Sequence, residues 1–223
     1  MTDTPSATPN NSRRPDRRRR PAPTQQKARP VNPVLERLFE FYPKLFGAQF
    51  LPLKLGVFQD LLARHPEEFK KDELKFAMGQ HARSTRYLES VAAGHPRHDL
   101  DGNPVEPVSP EHVHHAILEI FRRRQLRSKE DLKPQLVQRL VEAIAASGLT
   151  PEGYAERVRV QDEATNALLD DAISEVRLIV ARHEALARTF TASGKTVEEF
   201  ADMYGMKPAD VSRALEAIKA PAA

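Results

Sequence analysis

The chain has 223 residues, 40% of them hydrophobic, with a formal net charge of +3 and no cysteine. Disulfide and thiol chemistry are therefore excluded, and no run of about 18 apolar residues exists to cross a membrane as a helix. The Arg-rich N-terminus lacks the apolar stretch of a secretion signal, so a soluble cytoplasmic protein is expected, with room for one good core or one and a half.

Residues 1–30 carry prolines at 5, 9, 15, 21, 23 and 30 and basic residues at Arg13, Arg14, Arg17, Arg18, Arg19, Arg20, Lys27 and Arg29. With almost no apolar side chain to bury, this segment reads as a disordered basic arm. Such an arm adds salt-sensitive affinity for phosphates, or serves as a solubilising tail or a set of membrane-surface charges.

Asn32-Pro33 has the pattern of a helix start, and Leu35, Leu38, Phe39 and Tyr42 recur at helical spacing, with their aromatics expected in the core. From Leu51 to Arg64 the expected apolar stripe is Leu55, Phe58, Leu61 and Leu62. Lys54 and Gly56 fall at that helix's start. Exposed N–H groups there make an anion site, or the lysine is simply solvated. Asp72 is read as the cap of the next helix, with Leu74, Ala77 and Met78 inward and Lys75 outward. Ser84 is read as the cap of a helix from Thr85 to Ala93. Arg83 and Arg86, three apart, share a face if that helix is continuous.

Arg86-Tyr87-Leu88, Gly94 and His95 to Val105 predict a short helix leading into a hairpin that turns at Asp101-Gly102-Asn103-Pro104. Two arginines, Arg86 and Arg97, and Tyr87 are then held at the rim of a rigid unit. That combination suits gripping a phosphate backbone and stacking on a base, with Tyr87 alternatively a core residue whose hydroxyl lies at the edge.

Ser109-Pro110-Glu111 opens a helix to about Arg127, whose end carries Arg122, Arg123, Arg124 and Arg127. These serve the helix dipole or form a secondary basic patch for RNA. Ser128 is read as capping a helix from Lys129 to Ala146, and Thr150-Pro151 as opening a short turn or helix. Residues 160–190 predict one long amphipathic helix through Ala164, Leu168, Ala172, Val176, Ile179, Val180, Leu186 and Phe190, either in a helical hairpin or dimerising. Over 196–219, a Thr196-x-x-Glu199 capping box, Gly205 and Pro208 predict a helix-turn-helix-like pair whose second helix is a poor electrostatic match for DNA.

Taken together, Pro52-Leu53-Lys54-x-Gly56-Val57-Phe58-Gln59-Asp60-Leu61-x-x-Arg64, Arg86-Tyr87-Leu88 and Gly94-x-x-Arg97-x-Asp99-Leu100-Asp101-Gly102-Asn103-Pro104 resemble the ProQ/FinO domain of bacterial RNA chaperones. Three separated motifs in the right order make this specific. The resemblance implies a mainly α fold: a compact ProQ/FinO-type helical domain with a small β-hairpin over residues 31–127, here followed by an α-helical C-terminal extension over 128–223. It also implies binding of structured RNAs, notably terminator hairpins with single-stranded 3′ ends, and a part in post-transcriptional regulation by small RNAs pairing with mRNAs. On the matched positions, Lys54, Arg64, Lys75, Arg86, Tyr87 and Arg97 correspond to the family's RNA-contacting surface, with Gly56 near the RNA's 3′ end. The pattern is departed from at Gly79, His81 and Ala82, where members commonly carry an arginine, a tyrosine and a small hydroxyl residue; Arg83, one turn on, offers a replacement cation.

His95, His98, His112, His114 and His115 lie near Asp99, Asp101 and Glu111, but adjacent His114 and His115 point to different sides of a helix, and no helical pair three or four apart recurs with a carboxylate motif such as H-E-x-x-H. No P-loop or nucleophile elbow is present. The expectation is a binding protein that is not an enzyme, with no metal, no cofactor and no membrane. Its partner is RNA, with a protein partner or self-association through the C-terminal helices. The alternative is a helix-turn-helix DNA-binding regulator or a helical protein-interaction adaptor centred on 160–223.

Overall fold

The computed structural model describes residues 32–47 and 50–219; the arm that holds Arg17 to Arg20 lies outside them. From Asn32 onward the chain forms one compact unit. In order come α1 (Pro33–Phe41), α2 (Pro43–Phe46), α3 (Val57–Arg64), α4 (Lys71–Ala82), α5 (Thr85–Ala92), the strands β1 (Arg97–His98) and β2 (Pro104–Glu106), then α6 (Pro110–Gln125), α7 (Lys133–Ser147), α8 (Pro151–Val158), α9 (Glu163–Ser193), α10 (Val197–Tyr204) and α11 (Pro208–Lys219). The fold is mainly α with one antiparallel hairpin among the described residues, and the C-terminal region is helical.

Local chemistry starts these helices where short polar side chains meet free backbone N–H groups. Asn32, Ser84, Thr150, Asp162 and Thr196 each accept from an N–H of the first turn, and Thr196 and Glu199 complete a reciprocal capping box. The hairpin loop is organised by Asp99, whose carboxylate accepts from the N–H groups of Asp101 and Asn103 at 3.0 and 2.9 Å. Those bonds keep the carboxyl below its ordinary range, the Asn103 N–H contributing most. Gly102 takes φ 83° in this loop, a conformation that a side chain resists.

Three apolar clusters hold the unit together. Leu38, Leu45, Leu53, Leu61, Phe69 and Leu74 form one under α1 to α4. A second joins Leu88 and Val91 of α5 and Ile117 and Ile120 of α6 to Leu140 and Ile144 of α7, Tyr154 of α8 and Leu169 and Ile173 of α9. Tyr87 packs against both. The third sets Phe200, Ala201 and Val211 of the last two helices against Leu186 and Phe190 near the end of α9.

Several expectations are corrected. Leu55 is 63% exposed, because it lies in the turn before α3 rather than on it, and Val57 is buried in its stead. Phe39 is 51% exposed; Leu38 and Tyr42 are the core residues of that stretch. Asp72 does not cap α4, which begins at Lys71 after Lys70; Asp72 sits in the first turn, where a carboxylate still favours the helix dipole. Arg83 and Arg86 do not lie on one helix, since Arg83 closes α4 and Ser84 caps α5. The hairpin turns over Asp99 to Asn103, with Pro104 already paired to His98 in β2. α6 stops at Gln125, and α7 starts at Lys133 rather than Lys129, because the Gln125 side chain holds the Glu130 carbonyl and the Leu132 N–H in a loop, and Pro134 suits a first turn. On α9, Ala164 and Val180 face solvent, and Thr165 and Leu169 take the buried stripe.

Candidate nucleic-acid interface

The three sequence motifs converge on one residue, Leu53. Its N–H donates to the Tyr87 hydroxyl at 3.2 Å and its carbonyl accepts from the Arg97 guanidinium at 2.9 Å. On either side of it, His98 N–H donates to the Pro52 carbonyl at 2.7 Å and Lys54 N–H to the His98 carbonyl at 2.8 Å, so this segment runs beside β1 as a short parallel bridge. Gly56 then reverses the chain at φ 87° and opens α3. A residue with a Cβ is strained in that conformation, which is why glycine stands between the Lys54 backbone and the helix.

Arg97 is not at the rim. It is 8% exposed, bonded to Leu53, 3.8 Å from Glu106 and 3.4 Å from His112 Nδ1. It ties the hairpin to the segment before α3, and its charge is largely spent inside the protein.

The remaining predicted residues fall into two places. Lys54 and Arg64 border a hollow of about 490 Å³ with Asp60, Asp99 and Asp101, and both are paired: Lys54 with Asp60 at 2.9 Å, Arg64 with Asp101 at 2.8 Å. Asp101, then Tyr42, strengthen the hold of Arg64 on its proton. Such exposed pairs are weak, so a phosphate competes with the carboxylates on nearly even terms.

Arg83, Tyr87 and Arg97 instead line a groove of about 390 Å³ between the α4–α5 corner and α6, together with Leu55, His112, His115 and Arg123. Arg123 is fixed by Glu119 at 2.8 Å and donates to the Arg83 carbonyl at 2.8 Å, which fastens α6 to the corner. Arg86 stands above the Phe50 ring at 5.8 Å. Lys75, Arg83, Arg86 and Arg127 have no carboxylate partner among the described residues, whereas Arg124 pairs with Glu89 at 3.2 Å and Arg122 lies close enough to Asp162 to favour its ionised form. Unpaired cations are the ones free to neutralise an incoming phosphate.

Beneath the groove, His81 is 3% exposed, with its ring 4.6 Å from Phe46, 4.7 Å from Phe50 and 5.0 Å from Tyr87, and with Nε2 unpartnered among the described residues. Burial pushes its pKa down to about 4, so it is neutral at pH 7 and supports Tyr87 from behind. No group of three or more metal-competent side chains converges among the described residues. Sequence reasoning missed Arg123 as part of the groove itself and His81 as its support. The pattern of alternating sign at Glu119 and Arg123, one turn apart, was the available signal for the first.

Residues 28–133 match the ProQ/FINO family model. A protein named RNA chaperone ProQ from Shewanella frigidimarina is 42% identical over 92 residues, 40% of this chain and 45% of that protein. One of the same name from Shewanella amazonensis is 40% identical over 95 residues, 41% and 43% of the respective chains. The chain thus spans less than half the length of these curated relatives. A crystal structure of a FinO-like RNA chaperone from Neisseria meningitidis MC58 is 30% identical, covers 39% of this chain and 88% of that one, and aligns with a TM-score of 0.36. Residues 28–133, with the motifs that meet at Leu53, are thus a domain of the ProQ/FINO type.

Proposed function

We propose that the protein is an RNA chaperone of the cytoplasm that binds structured RNAs, in particular hairpins with single-stranded 3′ ends, and acts in regulation by small RNAs. The observation that carries this reading is the groove beside Leu53, where Tyr87, His112 and His115 stand beside Arg83, which has no carboxylate partner among the described residues, with Arg97 and Arg123 tying its walls together. The free arginine meets the backbone, and flat rings receive unpaired bases. Lys54, Gly56 and Arg64 form a second contact region, in which the RNA displaces Asp60 and Asp101 from their cations. Lys75, Arg86, Arg122 and Arg127 supply further phosphate contacts around it.

The test is binding of the full chain to a terminator-type hairpin with a U-rich tail across a salt series. Arg83→Ala and Arg86→Ala should each weaken binding by about 5- to 10-fold and each lower the slope of log K against log[salt] by close to one phosphate contact, with the melting temperature unchanged. Wild-type affinity in both variants rejects the reading. A second reading, a DNA or protein contact through α10 and α11, draws on the spacing of Ala201, Gly205 and Val211, with Gly205 ending α10 and Ala201 and Val211 sharing the third apolar cluster. At the start of α11, Asp210 neutralises Arg213 at 3.3 Å, which supports a protein partner or self-association over DNA.

A further inference from the structure

Phe76 lies on the outer side of α4, is 61% exposed and belongs to none of the three apolar clusters. An isolated exposed phenylalanine is unremarkable in itself; the neighbours of this one are not. Phe76, Gly79 and Arg83 are spaced i, i+3, i+7, which puts them in one stripe along the helix, with Lys75 beside it.

Gly79 has no positive φ, so glycine weakens the helix there without serving a turn. What it provides is space. A Cβ at position 79 would stand 3.3 Å from both terminal nitrogens of the Arg83 guanidinium and 3.6 Å from its carbon. The guanidinium therefore lies back against bare helix, along the stripe that Phe76 occupies, and it has no ion-pair partner there among the described residues. On the flank towards α1, Gln80 is held by Asn32 at 2.9 Å. Asp72, one turn before Phe76, closes the stripe at its far end against a phosphate. Seven residues of helix separate Phe76 from Arg83, about 10 Å, and Arg83 also lines the groove beside Leu53, so the stripe leads out of that groove.

We infer that this face of α4 is a separate nucleotide subsite, which takes an unpaired base of single-stranded RNA on the Phe76 ring and the adjoining phosphate on Arg83 seated at Gly79. The inference rests on the RNA-binding reading above and adds to it a route for the strand beyond the groove. A base on an exposed aromatic is recognised by its π-face, so the subsite is indifferent to sequence and contributes between about 5-fold and 100-fold in affinity.

The experiment uses the full chain and two probes: a hairpin with a single-stranded 3′ tail carrying 2-aminopurine, and the same hairpin blunt. Phe76→Ala should keep or raise the melting temperature, weaken the tailed RNA at least 5-fold and leave the blunt one unaffected. Phe76→Trp should restore binding and quench the 2-aminopurine. Gly79→Gln, which fills the seat, should lower the salt slope for the tailed probe as Arg83→Ala does, and the double variant should lose nothing more. Unaltered tailed-RNA affinity in Phe76→Ala, equal losses on both probes, or a lowered melting temperature overturns the subsite while wild-type RNA binding leaves the parent reading standing. A protein retained by wild type and lost by Phe76→Ala at constant RNA affinity overturns it in favour of protein docking. Failure of the wild-type chain to bind either probe removes both.

Discussion

Between pH 6.5 and pH 4 the protein should lose about 6 kcal/mol of stability, and two buried histidines account for it. Burial pushes the pKa of His81 from 6.5 to about 4, and that of His114 likewise, with His115 as a lesser cause for the second. His81 sits against the rings of Phe46, Phe50 and Tyr87, and His114 has the Tyr154 hydroxyl at 3.3 Å as its neutral partner. Because the folded pKa lies below the unfolded one, the unfolded chain takes up a proton from about pH 6.5 downward while the folded chain does not. Stability is therefore complete above pH 6.5, falls through the interval and levels off below about pH 4. The fall from 6.5 to about 4 corresponds to about 3 kcal/mol for each histidine, a large share of a typical domain's 5–15 kcal/mol or so. The carboxylates of Asp162 and Glu199, lowered first by the Thr165 hydroxyl and the Thr196 N–H respectively, lose their contributions from the ordinary carboxylate range downward, so the greater part of the histidine loss comes before them as pH falls. Urea unfolding at half-unit steps from pH 7.5 to 4.5 measures the slope. His81→Leu, which forfeits no hydrogen bond seen among the described residues, should remove about half of it, and adding His114→Gln most of the rest. A wild-type curve flat over this range, or a His81→Leu curve parallel to wild type, refutes the reasoning.

Two further outcomes follow from the same geometry. Arg97→Ala should cost about 2–3 kcal/mol in urea unfolding, because it releases the Leu53 carbonyl and strands a buried tie, and any loss of RNA affinity should come with that destabilisation. A variant that loses RNA binding at full stability assigns Arg97 a direct contact instead. Truncation after Arg127 should abolish cooperative unfolding of the remainder, since it strips Leu136, Leu140, Ile144, Tyr154, Leu169 and Ile173 from the cluster that covers α5 and α6. A truncated chain with the full-length melting temperature contradicts that account.

Punctuation of the chain was legible in the sequence wherever one residue's own chemistry decides. Ser84, Thr150 and the Thr196–Glu199 pair act on N–H groups within three residues, and Gly56 and Gly102 answer a local steric demand. Whatever depended on a distant partner was less so. Helical periodicity put Leu55 in the core, but the parallel bridge at Leu53 delays α3 until Val57. The start of α7 depends on Gln125 reaching back across its loop. For the candidate site, residue types pointed to the convergence of the three motifs, but nothing local tells a free arginine from a spent one: Arg86 and Arg97 read alike in sequence, and only the fold turns one outward and wedges the other against Leu53.

The 31 residues of α9 make one continuous rod about 46 Å long. Its base is embedded in the same cluster as α6, the wall of the groove, while its far end carries α10 and α11. The rod behaves as a boom. From Val176, where its buried stripe ends, to Ser193 is about 25 Å, so a swing of about 10° at the base carries the tip through about 4 Å. By that geometry a displacement of the cluster behind the groove is enlarged where it reaches α10 and α11, and those two helices are in turn joined through α9 to the wall of the groove.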